Sequence, residues 1–291
     1  MRIPAILPMR IDTACALRHP SSAMTILDLS APPPPPSARL AAALEAAEAA
    51  ARVIRALYQQ NLAVEVKADK SPVTEADVQS ERAIRAVLAA RFPEDGFFGE
   101  ETGSERRDAD YLWLVDPIDG TKAFVREYPM FSTQIALMHR GRLVLGVSSA
   151  PLYGELAYAE RGQGAWLNGQ RLRVSTIDTP EDAALSAGNL KTLARSPQWA
   201  AYGALVARLS RIRGYGDFLH YHLLAAGKLD AVVESDVNIL DIAALVTIVE
   251  EAGGRFTDLS GREVGLDTTT VLATNGALHG TVQGAIGFPP G

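Results

Sequence analysis

Residues 111–121 read YLWLVDPIDGT, an apolar run that ends in two aspartates. The apolar part, residues 111–115, predicts a short buried strand, and Asp116 stands where that strand ends. Pro117 fixes the turn, so Asp119 follows within the same small volume. Taken alone, this pattern fits a strand-ending Asx turn as well as it fits a ligand site.

The same stretch offers the oxygen ligands that hard divalent cations require. Magnesium favours carboxylates, carbonyls and water in near-octahedral order. Asp116, Asp119 and the Ile118 carbonyl could supply three such oxygens. Gly120 lets the backbone approach a ligand closely, and Thr121 adds a hydroxyl.

Acidic residues also stand at the ends of three other predicted elements. Glu100 and Glu101 follow a short apolar run, Asp77 lies in the sequence Thr-Glu-Ala-Asp that opens a helix, and Asp241 begins an apolar helix. Each has a structural explanation: a solvated loop, a capping box, and an N-terminal cap worth about 1 kcal/mol. Four acidic sites at the ends of elements together favour a shared metal site.

Periodicity along the rest of the chain predicts a mixed α/β protein. The predicted helices are residues 38–60, 74–91, 219–226 and 241–252, and the predicted strands are residues 111–115, 131–138, 143–149, 156–159, 165–174 and 231–234. Residues 1–36 end in a proline run and are expected to be a disordered or artefactual extension, with Met1 or Met24 as the true start. The remainder divides into an N-terminal half at 37–175, which carries most of the acidic sites, and a C-terminal half at 176–291.

Composition limits the classes of partner. The 291 residues carry a formal net charge of -6 and a pI of about 5.5, which argues against a nucleic-acid backbone as partner. The one cysteine, Cys15, excludes a disulfide framework or a thiolate metal cluster within the chain. No stretch approaches the roughly 18 apolar residues of a membrane span, and the first residues lack a secretory signal. We therefore expect a cytoplasmic protein.

Three segments carry a family resemblance: Gly-Glu-Glu at 99–101, Asp-Pro-Ile-Asp-Gly-Thr at 116–121, and Asp-Ile-Ala-Ala at 241–244 with Glu-Ala-Gly-Gly at 251–254. Their order and spacing resemble the signature segments of the inositol monophosphatase family across residues 38–285. The resemblance implies an αβαβα sandwich, a lithium-sensitive magnesium phosphatase activity and a homodimer. One departure is Leu240, where the family usually has a tryptophan before its last metal-binding aspartate.

The resemblance also implies two or three Mg2+ ions per site, held by six residues: Glu100, Asp116, Ile118, Asp119, Asp241 and Asp77. The first ion would lie between Glu100, Asp116 and the Ile118 carbonyl. The second would lie between Asp116, Asp119 and Asp241. Asp77 and Glu100 would help to hold a weaker third ion.

The same resemblance assigns the catalytic step to a metal-activated water. Glu100 and Thr121 would orient that water, and the amides of Gly120 and Thr121 would bind the phosphate. Lys67 or Lys70 would lie on a loop that shields the site. No phosphorylated enzyme intermediate is expected.

The substrate implied by the resemblance is a small phosphorylated metabolite of the polyol type, such as inositol 1-phosphate. Glu234 would accept hydrogen bonds from substrate hydroxyls. The segment around residues 216–235 resembles the histidinol-phosphatase branch about as well, and there Asp217 would meet a substrate amine or hydroxyl, unless it is only a helix cap. His220 and His222 are two apart and cannot share a helix face, so we expect interior or surface residues rather than ligands.

Other functions fit the sequence less well. The bisphosphate nucleotidase and fructose-bisphosphatase branches handle a second phosphate, yet the basic residues of 217–260 are Lys228 and Arg255 alone. A non-catalytic regulatory member of the family is an alternative, although such a protein would be free to lose the acidic residues. A redox or nucleotide-binding enzyme would need a GxGxxG or GxxxxGK[ST] motif, which the sequence lacks.

Overall fold

The computed structural model describes residues 33–60 and 72–289, together with the backbone of residues 64–66. The α-helices are α1 (Ala38–Leu57), α2 (Glu75–Arg91), α3 (Thr121–Val125), α4 (Lys191–Arg195), α5 (Trp199–Val206), α6 (Asp217–Ala225), α7 (Ile239–Glu251) and α8 (His279–Ile286). The strands are β1 (Val64–Val66), β2 (Pro72–Thr74), β3 (Gly96–Gly99), β4 (Ser104–Glu105), β5 (Tyr111–Asp119), β6 (Ser132–His139), β7 (Arg142–Ala150), β8 (Glu155–Glu160), β9 (Gly164–Leu167), β10 (Gln170–Arg171), β11 (Ala184–Ala187), β12 (Arg211–Arg213), β13 (Ala231–Ser235), β14 (Arg255–Thr257) and β15 (Thr270–Thr274).

The strands form a large sheet and a small sheet. The large sheet has eight strands in the order β10-β9-β8-β7-β6-β5-β3-β4, and the small sheet has five in the order β12-β11-β13-β15-β14. Neighbours in the large sheet run antiparallel except β3 and β5, which are parallel. Strands β1 and β2 form a separate antiparallel pair.

Apolar side chains stack these elements into five layers. Helices α1 and α2 cover one face of the large sheet, where Ile84 and Ile135 share one cluster. Helices α6 and α7 fill the space between the two sheets, and their cluster joins Ala136 of the large sheet to Val232 of the small one. Helices α4, α5 and α8 cover the outer face of the small sheet. The predicted αβαβα sandwich is confirmed.

Several local predictions are confirmed and one is wrong. Thr74 caps α2 in a capping box with Asp77, as its sequence predicts. The strand expected at 111–115 continues to the end of β5. The single strand expected at 165–174 is instead the β9–β10 hairpin, because Asn168 and Gly169 take left-handed φ angles of 50° and 79° and reverse the chain.

The helix boundaries shift by a few residues. Helix α1 ends at Leu57 rather than at residue 60, and α6 begins at Asp217. Whether the halves at 37–175 and 176–291 are separate units stays a prediction. Residues 1–32, with Cys15 and Met24, and the candidate loop lysines Lys67 and Lys70 lie outside the described residues. In the described part of the chain, no helix has the length and apolar character to cross a membrane.

Candidate functional site

The end of β5 turns two aspartates toward the same place. In a regular strand, residues three apart point to opposite faces. Here the pairing with β6 shifts between Asp116, which pairs with Gln134, and Asp119, which pairs with Ser132. Such an irregularity re-aims side chains at the edge of a ladder. Both carboxylates are consequently buried on one side, with 2% and 9% of the residue exposed.

The third carboxylate comes from the first turn of α7. One ligand oxygen each from Asp116, Asp119 and Asp241 lies within 4.8 Å of the others. Asp241 does not cap the helix, as one interpretation of the sequence had it, because Asn238 is the cap and Asp241 stands at the third helical position. Its Oδ2 accepts the Asn238 amide at 2.9 Å. The capping box therefore fixes Asp241 while Oδ1 remains outside the cap.

Asp77 is held by the same device at the start of α2. Its Oδ2 accepts hydrogen bonds from the Thr74 amide at 2.8 Å and the Thr74 hydroxyl at 2.6 Å. The Thr121 hydroxyl lies 3.2 Å from Asp77 Oδ1 and 3.0 Å from the Ile118 carbonyl oxygen. Asp77 therefore lies beside the turn that follows β5.

The carboxylates repel one another electrostatically. Burial raises the pKa of Asp116 well above its usual range, and the charges of Glu100 and Asp119 raise it further. Burial and then the charges of Asp217 and Asp241 do the same to the pKa of Asp119. Burial raises the pKa of Asp241 to about 7, with the charge of Glu100 adding to the effect. A bound cation would relieve this repulsion.

Glu100 stands on the loop that follows β3. Its amide donates to the Val115 carbonyl at 3.2 Å, which ties the loop to β5. The buried carboxylate of Glu81 accepts hydrogen bonds from the Glu101 amide at 2.8 Å and the Thr102 amide at 2.6 Å. Sequence reasoning missed Glu81, although its spacing of four from Asp77 places both acids on one face of α2.

Gly120 forms the turn between the two aspartates and α3. Its φ of 91° is unfavourable for residues other than glycine. A Cβ at this position would also lie 2.7 Å from the Met130 carbonyl oxygen, so both the backbone conformation and the lack of space exclude a larger residue. The amides of Gly120 and Thr121 stand at the start of α3, where N–H groups have no intrahelical partner. Phosphate binding by these two amides stays a prediction.

Glu234 lies on β13 and already has several protein partners. Its Oε1 accepts the Asn189 amide at 3.1 Å, and its Oε2 accepts the Tyr221 hydroxyl at 2.7 Å. His220 Nε2 lies 3.3 Å from the same Oε2. Burial acts to raise the pKa of Glu234, but the neighbouring His220 ring and the hydrogen bond from Tyr221 prevail and lower it. Glu234 therefore stays ionised.

Asp217 is not the cap of α6, because Gly216 occupies that position. Burial, followed by the charge of Glu234, raises the pKa of Asp217 to about 6, while His220 and Lys122 act to lower it. The charge of Asp217 in turn raises the pKa of Asp119 and of Asp241, so Asp217 interacts electrostatically with two of the metal candidates. His220 and His222 are buried interior residues, as expected.

A model of the inositol monophosphatase family matches residues 36–286. The chain belongs to this family. A histidinol-phosphatase of Chlorobaculum parvum is 36% identical over 246 residues, which are 84% of this chain and 95% of the relative. A histidinol-phosphatase of Mycobacterium tuberculosis is 40% identical over 227 residues, 76% of this chain and 87% of the relative. The crystal structure of the extragenic suppressor protein suhB from Bartonella henselae superposes with a TM-score of 0.79 at 32% identity, covering 86% of this chain and 98% of the other.

This member of the inositol monophosphatase family is accordingly a phosphatase, a phosphoric monoester hydrolase. The fold brings Asp116, Asp119 and Asp241 together, and the charge of Glu100 acts on Asp77, Asp116 and Asp241. The individual roles of these residues, the orientation of water by Thr121 with Glu100, and the homodimer stay predictions.

Proposed function

We propose that this chain is a Mg2+-dependent phosphatase that hydrolyses an amino-alcohol phosphate of the histidinol phosphate type. The observation that carries the proposal is the cluster of Asp116, Asp119 and Asp241, whose oxygens lie within 4.8 Å of one another. The donor set fits magnesium, because the three aspartates and the Ile118 carbonyl offer the oxygen ligands that this ion prefers.

The residues divide between two or three ions. Glu100, Asp116 and the Ile118 carbonyl would hold one ion, and Asp116, Asp119 and Asp241 would hold a second. Asp77 would help to hold a third through Oδ1, the oxygen that the capping box leaves outside. When bound, magnesium supplies positive charge to the phosphate oxygens and makes a water more acidic.

The chain's own contribution is to orient the water and the phosphate. The Thr121 hydroxyl hydrogen is directed to Asp77 Oδ1 or to the Ile118 carbonyl oxygen. Thr121 Oγ1 then presents its lone pairs outward and accepts a hydrogen bond from the attacking water. With the Gly120 and Thr121 amides donating to phosphate oxygens, the water and the phosphorus are held in line.

The acidic surroundings of Asp217 support a cationic substrate. The Glu234 oxygens already accept hydrogen bonds from protein groups, whereas no hydrogen bond from the described residues reaches the Asp217 carboxylate. Asp217 would therefore bind the ammonium or imidazolium group of the substrate. The two histidinol-phosphatases at 36% and 40% identity support the same choice.

An inositol monophosphate is the second candidate substrate. It is favoured by Glu234, whose ionised and buried carboxylate lies close enough to Asp119 for its charge to raise the pKa of that residue. An ionised carboxylate in this position can accept a hydrogen bond from a substrate hydroxyl.

The test is phosphate release from histidinol phosphate, inositol 1-phosphate and adenosine 3′,5′-bisphosphate, with magnesium present or chelated. We expect histidinol phosphate to give the highest kcat/KM and chelation to abolish turnover. Asp116→Asn should lose activity, whereas Asp258→Asn changes a buried aspartate bonded to Arg262 outside the site and should retain it. Equal turnover by the protein and its Asp116→Asn variant would refute the metal site.

A further inference from the structure

We propose that His222 and Glu155 are positioning residues that fix the carboxylate of Asp119 through a chain of buried hydrogen bonds. The proposal rests on the proposed function, since it concerns how firmly one magnesium ligand is held. His222 lies on α6 and Glu155 at the start of β8, and no hydrogen bond among the described residues joins either of them directly to Asp116, Asp119 or Asp241.

The chain has five links. His222 Nδ1 lies 2.7 Å from Glu155 Oε2, and His222 Nε2 lies 2.9 Å from Ser148 Oγ. Gln134 Nε2 donates to Ser148 Oγ at 3.1 Å and to Ser132 Oγ at 2.8 Å. Ser132 Oγ donates to Asp119 Oδ2 at 3.4 Å. A continuous path thus joins a partly exposed carboxylate to a candidate metal ligand.

The sheet register builds this path. Ser132 pairs with Asp119 across β5 and β6, and Gln134 pairs with Ser148 across β6 and β7. Ser132 and Gln134 are two apart on β6, so their side chains leave the same face of the sheet. Helix α6 covers that face and places His222 over Ser148. The interior residues of the path are buried, with His222 1% exposed, whereas 22% of the Glu155 side chain is accessible.

The hydrogen atoms can be assigned without conflict along the whole path, and donation runs outward from Gln134 toward both ends. A carboxylate only accepts, so the Glu155 contact requires a proton on His222 Nδ1. In the neutral ring, Nε2 is then the acceptor and receives the Ser148 hydroxyl. Gln134 gives its two N–H groups to Ser148 and Ser132, which leaves the Ser132 hydroxyl to donate to Asp119 Oδ2.

The assignment matters because it gives Asp119 a hydrogen-bond donor on Oδ2. A carboxylate that accepts a hydrogen bond on the side away from the metal loses rotational freedom, and its remaining lone pairs point in a fixed direction. Outer-shell partners of this kind typically change metal affinity by about 10–100-fold when they are removed. A purely structural role for the network would alter stability and leave metal affinity unchanged.

The experiment measures the magnesium dissociation constant of the full chain by isothermal titration calorimetry, with the thermal midpoint recorded for each variant. We expect about 10-fold weaker magnesium binding for Ser148→Ala and His222→Phe, which break the path. Glu155→Gln keeps an acceptor for His222 on a partly exposed residue, so it should fold normally and weaken magnesium binding measurably, though less than Ser148→Ala does. His279→Phe is the matched control.

His279 suits this purpose because it is also a buried histidine between two hydroxyl groups. His279 lies on α8, and its ring nitrogens lie 3.0 Å from Thr257 Oγ1 and 3.1 Å from Thr274 Oγ1. Both threonines are on the small sheet. The control should lower the thermal midpoint and leave the magnesium dissociation constant unchanged. If His279→Phe does not fold, Glu155→Gln compared with the parent protein still decides the question.

The outcomes separate the two proposals. Unchanged magnesium affinity in Glu155→Gln and Ser148→Ala, with a parent protein that binds magnesium and releases phosphate, would overturn the positioning role alone. A parent protein that neither binds magnesium nor releases phosphate would overturn the proposed function and the positioning role together. Equal weakening in the His279 control would also overturn the positioning role, because a general loss of packing would then explain the effect.

Discussion

The Thr121 hydroxyl lies 3.2 Å from Oδ1 of Asp77, although the two residues are 44 positions apart in the chain. Asp77 is fixed by its capping box, and Thr121 is fixed by the left-handed turn at Gly120. The pair therefore has a defined geometry before any ligand binds. Preorganised polar groups of this kind are effective in catalysis because they need no rearrangement at the moment of reaction.

Thr121→Val should lower kcat by roughly 100-fold while leaving the fold intact, because valine keeps the shape of the side chain and removes the group that orients water. Thr192→Val is a matched control, since the Thr192 hydroxyl also bonds an aspartate, Asp236, at 2.6 Å on the exposed surface. Steady-state kinetics on both variants would check this. Comparable kcat values for the two would show that Thr121 has no catalytic part.

Glu81→Gln should destabilise the protein by about 2 kcal/mol and raise the magnesium concentration that gives half-maximal activity. The Glu81 carboxylate now accepts hydrogen bonds from two backbone N–H groups, and the glutamine side chain would place its own N–H group against one of them. Hydrogen bonds to charged groups contribute about 1.5–3 kcal/mol. Urea unfolding and a magnesium titration of activity measure the two effects. Glu75→Gln, an exposed change on the same helix, should alter neither.

Asp217→Asn should raise the KM for histidinol phosphate by about 10-fold and leave the KM for inositol 1-phosphate nearly unchanged. The physical reason is the loss of one charged contact to a cationic group, worth about 1.4 kcal/mol. Measuring both substrates with one enzyme preparation provides an internal control. A parallel loss for both substrates would show that Asp217 supports the site generally and does not select the substrate.

Protonation of His279 should make the protein less stable in mild acid. Burial, with a smaller effect from the charge of Arg255, lowers its pKa from 6.5 to about 4. The unfolded chain therefore takes up a proton at a higher pH than the folded one, and stability is lost as the pH falls from about 6.5 toward 4.

Between pH 7 and pH 5 this loss should be on the order of 2 kcal/mol, and His279→Asn should show less of it. Urea unfolding of both proteins in saturating magnesium measures the difference. The same pH dependence in the two proteins would assign the acid sensitivity to other groups.

The parts of the site that follow from local sequence could be predicted. Three features each depend on only four or five consecutive residues: the aspartates at the end of β5, the capping box of Asp77, and the acidic first turn of α7. The cap of α7 was misplaced because Asn238 and Asp241 are both good candidates for the same end of one helix. Only the backbone geometry distinguishes the cap from the third position.

The parts that depend on pairing between distant strands could not be predicted. Ser148 and His222 meet although 74 positions separate them, and their contact depends on the register of β6 and β7 and on where α6 crosses the sheet. Most strands of the small sheet were also missed. Strands β11 and β15 are short and largely buried, so they lack the alternating pattern by which half-buried strands are recognised, and β12 and β14 have three residues each.

The irregular pairing between Asp116 and Asp119 sets a limit on protein engineering. Deleting one residue there to obtain an uninterrupted ladder would add a regular pair of hydrogen bonds to the sheet. The two aspartates would then be two apart and would still leave the same face, but the backbone between them would straighten, and the turn that holds the Ile118 carbonyl beside Thr121 would be lost. A more orderly strand would thus be gained at the expense of the ion-binding corner, and stability-guided redesign of this sheet should leave that defect in place.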